Sequence, residues 1–206
     1  MGFPPAFLFS QLPIPVEREG SPLAPSSTTP SELLGKKRIL VLGCSGAGKS
    51  TLARQLGARL EIPVHHLDAM FWQPGWVLLP RAERIALLEH LVRANCWIID
   101  GNYFSTLELL IEAADVIVLL DIAGWRCAWR VIKRRIVYRN ATRADRADGC
   151  REQLDLEHVW RVLQYRRSEL PQVLNYLADA RSGTTIVTLR KPGEVSAFMK
   201  QLAAQK

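Results

Sequence analysis

Residues 43–50 read G-C-S-G-A-G-K-S, a full match to the spacing G-x-x-x-x-G-K-[ST]. These residue types suit the holding of a phosphate chain. Gly43, Gly46 and Gly48 permit positive φ and close backbone approach, so several N–H groups can converge on one anion. Lys49 is placed to reach β- and γ-phosphates, and Ser50 to offer its hydroxyl to Mg²⁺. Thr51 follows, within reach of an α-phosphate. Cys44, Ser45 and Ala47 complete the loop. The expected ligands are ATP and Mg²⁺.

Two carboxylates and a basic cluster are the other chemistry-bearing groups. Asp68 closes the run Ile62-Pro63-Val64-His65-His66-Leu67-Asp68, read as a short strand, and ligands bind outside the carboxyl ends of such strands. Asp100 closes Cys96-Trp97-Ile98-Ile99-Asp100 and is followed by Gly101. Arg126, Arg130, Lys133, Arg134, Arg135, Arg139, Arg143 and Arg146 crowd one stretch. Arg126, Arg130 and Arg134 recur at i, i+4, i+8 and share a helix face. Adjacent His65 and His66 point to opposite faces of a strand, one toward the core and one toward the site.

The elements that must position these groups alternate along the chain. Ile39-Leu40-Val41-Leu42 is an apolar run of buried-strand type before the loop. Leu52, Leu56 and Leu60 follow with helical period. Residues 69–80 hold Phe71, Trp72, Pro74, Gly75 and Trp76, too broken for a regular helix. They form either a substrate wall or the base of a lid. Helices are expected over 81–95, with Ile85, Leu88, Leu91 and Val92 on one side, over 104–113 and over 124–139. Strands are expected at 96–101, 115–121 and 184–189. Residues 140–150 are polar and end near Gly149, which suits a mobile loop. A long helix is expected over 152–180, with Leu156, Val159 and Leu163 as its apolar stripe and Pro171 kinking or splitting it. A last helix opens at Pro192. Five strands with helical crossovers predict an α/β fold, a doubly wound parallel sheet covered on both faces.

The chain has 206 residues and a net charge of +7, enough for one domain with a substantial core. No stretch approaches the roughly 20 apolar residues of a membrane span, so no membrane partner is expected. Residues 1–35 carry seven of the twelve prolines and the run Ser26-Ser27-Thr28-Thr29. They read as a disordered or loosely attached arm preceding a domain at 36–206. The arm lacks a basic n-region, and Pro13 and Pro15 interrupt its apolar run, unlike a secretory leader. The four cysteines are scattered without metal-ligand spacing. A free Cys44 in the phosphate loop points to a reducing cytoplasm. Asp121-Ile122-Ala123-Gly124 fits D-x-x-G, but no N-K-x-D accompanies it, so it is read as a strand end. Trp125, Trp129 and Trp160 are read as packing residues rather than base-stacking platforms.

The phosphate loop, the Asp100-Gly101 pair and the arginine-rich stretch resemble the nucleoside monophosphate kinases, adenylate kinase above all. A nearer resemblance is to the small P-loop family of DNA topology modulation proteins. It is carried by IPVHHLDAMFWQPGW (62–76), CWIIDGNY (96–103), ADVIVLLD (114–121), DGC (148–150), Trp160 and Tyr165-Arg166-Arg167, and covers about residues 36–200. The resemblance implies a three-layer P-loop NTPase fold of nucleotide-kinase type with a lid at about 126–150.

Its implied roles follow the same positions. Lys49 and the lid arginines Arg130, Arg134 and Arg139 position and neutralise the transferring phosphoryl group. Asp68 meets the acceptor hydroxyl as base, its alternative being a helix cap or turn acid. Asp100 holds Mg²⁺ through water alongside Ser50, its alternative being a plain Asp-Gly turn. Two departures argue against AMP as acceptor. Asn102-Tyr103 stands where adenylate kinase has an aromatic-Pro-Arg, and His66-Leu67-Asp68 replaces its Thr-Gly-Asp type of stretch. The expected partner is a small-molecule phosphate acceptor. The alternative is a nucleotide-binding regulator that contacts DNA through the basic cluster.

Overall fold

The computed structural model describes residue 33, residues 35–137 and residues 155–205. Strand β1, Arg38–Gly43, is apolar throughout its interior because it is the central strand, buried on both faces. It lies between β5, Trp97–Asp100, and β6, Val116–Leu120. Strand β2, Val64–His66, pairs with β5 at one edge, and β7, Thr185–Leu189, pairs with β6 at the other. The order β2-β5-β1-β6-β7 is parallel throughout. The chain leaves β1 toward one edge and later crosses to the other, which opens a crevice at the carboxyl ends of the strands.

Helix α1, Lys49–Leu60, packs on β1 and β5, with α8, Pro192–Ala204, beside it. Helix α4, Phe104–Ala113, packs against both α3, Arg81–Val92, and α7, Leu170–Ala178, and also reaches β1. Together with the sheet these make the three layers of a doubly wound α/β domain of P-loop type. Ile39, Leu40, Val41, Ile98, Ile99 and Ile117 form its centre, all fully buried.

Several expectations are corrected. The strand expected over 62–68 keeps only Val64–His66, because Leu67 turns into the core and starts a short helix, α2, Leu67–Phe71. Asp68 therefore sits in the first turn of α2 rather than at a strand end. After α2 comes a hairpin, β3, Trp72–Gln73, against β4, Val77–Leu78. Its turn places Gly75 at φ 81° and Trp76 at φ 64°, and the second is uncommon for a bulky residue.

The long helix is two. Helix α6, Leu156–Ser168, is capped by Asp155, whose carboxylate accepts the Glu157 N–H at 2.9 Å. Pro171 lies in the first turn of α7, where its missing N–H is tolerated, and it prevents α6 from continuing. The stripe of α6 also differs. Val162 and Tyr165 are buried, while Leu156 and Leu163 are exposed.

Helix α5, Gly124–Val137, packs against α6 and buries Cys127, Ala128 and Val131. Trp125 and Trp129 lie on the opposite arc, and with Trp160 they are 61–63% exposed. They are not core, contrary to expectation. Leu33, within the expected arm, is fully buried. Residues 1–32 and the expected loop at 140–150 lie outside the described residues.

Candidate active site

The loop between β1 and α1 has the backbone that its sequence calls for. Gly46 takes φ 80°, and a Cβ there would collide with the Cys127 carbonyl oxygen, so the loop beds directly on α5. Gly48 takes φ 106° as the residue that opens α1. No acid stands in the first turn of α1, and no side chain caps it. Its free N–H groups and positive dipole end are left to an anion.

Around this loop the structure brings together three of the predicted groups. The Lys49 ammonium donates to the Cys44 carbonyl at 3.0 Å, which folds it over the loop. Ser50 donates from Oγ to Asp100 Oδ2 at 2.7 Å. Asp100 is 4% exposed at the end of β5, so it is a strand-end acid within the site rather than a surface turn. Its Oδ1 is bonded to His66 Nδ1. His66 is thus the histidine of the pair that faces the site. His65, on the other face of β2, has its pKa held down by burial and then by the neighbouring His66.

A hydroxyl and a carboxylate form a hard-oxygen set that fits Mg²⁺, which takes one or two protein oxygens and completes its shell with water and phosphate oxygens. The loop, with its open helix end and adjacent cation, fits a nucleoside triphosphate. Thr51 is exposed at the start of α1.

The three arginines expected on one face of α5 diverge. Arg130 donates to the Ala47 carbonyl at 3.1 Å and the Gly46 carbonyl at 3.4 Å, bracing the phosphate loop from outside. Arg134 lines the cavity. Arg126 instead stacks on the exposed Trp125 ring at 4.5 Å. Four residues turn the helix by only about 40° but advance it about 6 Å along its axis, so the three side chains meet different surroundings. Arg139, Arg143 and Arg146 lie outside the described residues.

Sequence reasoning missed several groups. His158 Nε2 is 3.2 Å from the Ser45 hydroxyl. Arg161 and Glu169 line the same cavity and approach each other at 3.8 Å. Burial pushes the Glu169 carboxyl up against the opposing pull of Arg161 and Lys49. These residues lie more than a hundred positions after the loop in sequence, and no spacing rule connects them to it. Cys44 and Cys127 are buried neighbours. Cys44 Sγ donates to the Val162 carbonyl at 3.7 Å; the adjacent Cys127 thiol, together with burial, pushes the Cys44 thiol far up and keeps it neutral, so Cys44 contributes backbone to the loop.

Asp68 lies across the cavity from the loop. Its Oδ1 accepts from the Tyr103 hydroxyl at 2.7 Å, and that hydroxyl accepts from Trp72 Nε1 at 2.8 Å. A cavity of about 330 Å³ joins the two halves. Gly43, Ser45 and Lys49 form one wall, and Asp68, Trp72 and Tyr103 the other.

No protein-family model matches the chain, and no curated protein matches it. Solved structures are similar in fold. A shikimate kinase from Bacteroides thetaiotaomicron aligns with TM-score 0.48 and 16% identity over 82% of this chain and 96% of its own. A gluconokinase from Sinorhizobium meliloti aligns with TM-score 0.41 and 15% identity over 82% of this chain and 90% of its own. At such identities the likeness is one of fold, and the chemistry must be argued from this chain's own residues.

Proposed function

We propose that this protein is an ATP- and Mg²⁺-dependent phosphotransferase acting on the hydroxyl of a small acceptor. The observation that carries this reading is one cavity with two chemically distinct walls. Gly43, Ser45 and Lys49 stand on one side, with the Ser50–Asp100 pair bonded next to Lys49 in the chain, and Asp68, with Oδ2 unclaimed by any described residue, on the other.

When bound, Mg-ATP supplies the transferable phosphoryl group and an ion that neutralises its developing charge. The chain's own residues do the rest. The loop N–H groups and Lys49 hold the phosphates and face the charge that grows in transfer. Asp68 accepts the acceptor's hydroxyl proton as that oxygen bonds to the γ-phosphorus. The bond to the bridging oxygen breaks, and ADP keeps its electron pair. Arg134 and the distal arginine Arg139 are proposed to close on the same group from α5 and beyond. The neutral Cys44 thiol in the loop fits a reducing cytoplasm.

ADP release measured with and without candidate acceptors tests the proposal. It expects acceptor-dependent ADP formation that requires Mg²⁺, with the requirement weakened or shifted in Asp100→Asn. ADP release indifferent to every acceptor would overturn it.

A second reading has its own observation. Three exposed tryptophans, one with Arg126 stacked on it, lie on the α5–α6 surface, and aromatic faces beside cations suit single-stranded nucleic acid. It corresponds to a nucleotide-binding regulator associated with DNA, as the topology modulation resemblance would suggest. DNA affinity that falls steeply with salt, alongside weak acceptor-independent ATPase activity, would favour it.

A further inference from the structure

The two walls of the cavity differ in charge. Lys49, Arg134, His158 and Arg161 line it on the side of the loop, α5 and α6, together with the carboxylates Asp155 and Glu169, the second of which faces Arg161 at 3.8 Å. The other wall is Asp68, Trp72, Trp76, Gly101, Asn102 and Tyr103, with no lysine, arginine or histidine among the described residues. Arg84, which approaches Phe71 beneath Tyr103, does not line the cavity. Its guanidinium lies 5.7 Å from the Phe71 ring and donates to Ser105 Oγ at 3.1 Å.

We infer that the acceptor is an uncharged, ring-bearing alcohol of the nucleoside or cyclic-sugar kind, seated against Trp72 and Trp76 with one hydroxyl on Asp68 Oδ2. The inference rests on the phosphotransferase reading and specifies its acceptor.

Three features carry it. Trp72 and Trp76 meet edge to face, 5.4 Å between ring centroids at 73°, and form a corner of two indoles. Such a corner takes the plane of a base or the apolar face of a sugar and offers an anion no positive charge. Trp76 is kept at positive φ by the hairpin turn, a conformation a bulky residue holds only where its surroundings impose it.

Next, Asp68 is oriented. Trp72 donates to the Tyr103 hydroxyl, which donates to Asp68 Oδ1. Each donor is thereby spent, and Oδ2 is the acceptor left for a ligand hydroxyl. The ring of Tyr103 rests edge-on against the fully buried Phe71, with centroids 4.9 Å apart, which fixes it. Tyr103 and Trp72 are therefore positioning residues for Asp68.

Finally, a phosphate or carboxylate on the acceptor would face the Asp68 carboxylate with no cation among the described residues of its own wall. Like charges at close range in a partly desolvated cavity repel, and an anionic acceptor is selected against.

The test is a paired panel read by calorimetry with a non-hydrolysable ATP analogue and Mg²⁺ present, and by ADP release with ATP. Neutral members are adenosine, cytidine, thymidine, D-glucose and myo-inositol. Their charged counterparts are AMP, CMP, TMP and D-glucuronate, with shikimate added. Analogue binding alone reports on the nucleotide site, so its failure would sink the phosphotransferase reading itself. With analogue bound, at least one neutral member should bind and stimulate ADP release at least tenfold better than its charged counterpart. Trp76→Ala and Trp76→Phe separate stacking from folding: the alanine variant should weaken acceptor binding about tenfold and phenylalanine should restore most of it, as one ring contact is worth about that much. Tyr103→Phe should lower kcat about tenfold or more while KM moves little, as expected when a base loses alignment. Preference for a charged member over its neutral partner, binding of no neutral member, or Trp76→Ala with unchanged acceptor affinity would each overturn the inference.

Discussion

Two cavities of similar volume lie at opposite ends of the parallel sheet, about 330 Å³ at the carboxyl ends of the strands and about 360 Å³ at the amino ends. Each contains a carboxylate beside basic side chains. At the amino ends, Asp115 accepts from the Lys37 and Arg38 backbone N–H groups, from the Arg38 guanidinium at 2.8 Å and from Arg181 at 3.1 Å. Both its oxygens are engaged. At the carboxyl ends, Asp68 has one described donor, Tyr103, and Lys49 is held by a single carbonyl. A carboxylate whose bonds are completed within the protein joins strands. One left with an open oxygen in a crevice can meet a ligand. Volume does not separate the two cavities; the completeness of hydrogen bonding does.

The sharpest way to break this comparison is Asp68→Asn. The amide cannot take the hydroxyl proton, so acceptor-dependent turnover should fall by roughly 10²–10⁴, with ATP-analogue affinity retained in a binding titration. Loss of analogue affinity would place Asp68 on the nucleotide side instead. Lys49→Ala should leave the thermal transition in place and lower turnover by about 10²–10³, since a developing charge loses its cation. Turnover near that of the unmodified protein would remove Lys49 from the chemistry.

The other end of the sheet should respond in stability and not in turnover. Burial raises the Asp115 pKa, but the Arg38 side chain and the two backbone N–H donors outweigh it and hold the carboxyl below its usual range. The stability it contributes is present above the ordinary carboxylate pKa and is lost as pH falls through the lower folded value. Asp115→Asn should cost roughly 1–3 kcal/mol near pH 7, and urea melts should show the difference shrinking below about pH 4. An equal deficit at pH 3 and pH 7 would show that shape rather than charge matters there.

The smallest effect is expected from the N-terminal segment. Removing residues 1–32 should shift the melting temperature little, as Pro-rich sequence buries little surface. Leu33→Ala should cost about 2–5 kcal/mol in the same melt, because that side chain is fully buried. A large drop on truncation would show that the segment docks on the domain.

Legibility in the sequence differed from place to place. The phosphate loop and the five principal strands were readable because each rests on local rules: glycines where φ is positive, and apolar runs where both faces of a strand are covered. The split at Pro171 was readable as one of two outcomes, since a missing N–H must interrupt a helix. The α6 stripe and the tryptophans were misread. Helical period says which residues share a face and not which face finds a neighbour, and α5 turned Cys127, Ala128 and Val131 inward. Asp68 was misplaced in element, because Leu67 was captured by the core one residue before it.

By itself the sequence determined that the chain builds a glycine-rich loop of phosphate-binding pattern between a buried strand and a helix, and that an acid, Asp100, ends a later strand. Those features depend on residues near one another, through backbone sterics and burial periodicity. Only the tertiary structure decided that His66 shares Asp100 with Ser50, that Trp72 and Tyr103 orient Asp68, and that Arg130 braces the loop while Arg126 faces solvent. Those pairings join residues 31 to 83 positions apart. Such contacts are set by how layers of secondary structure stack around the sheet, and no local spacing in the chain encodes them.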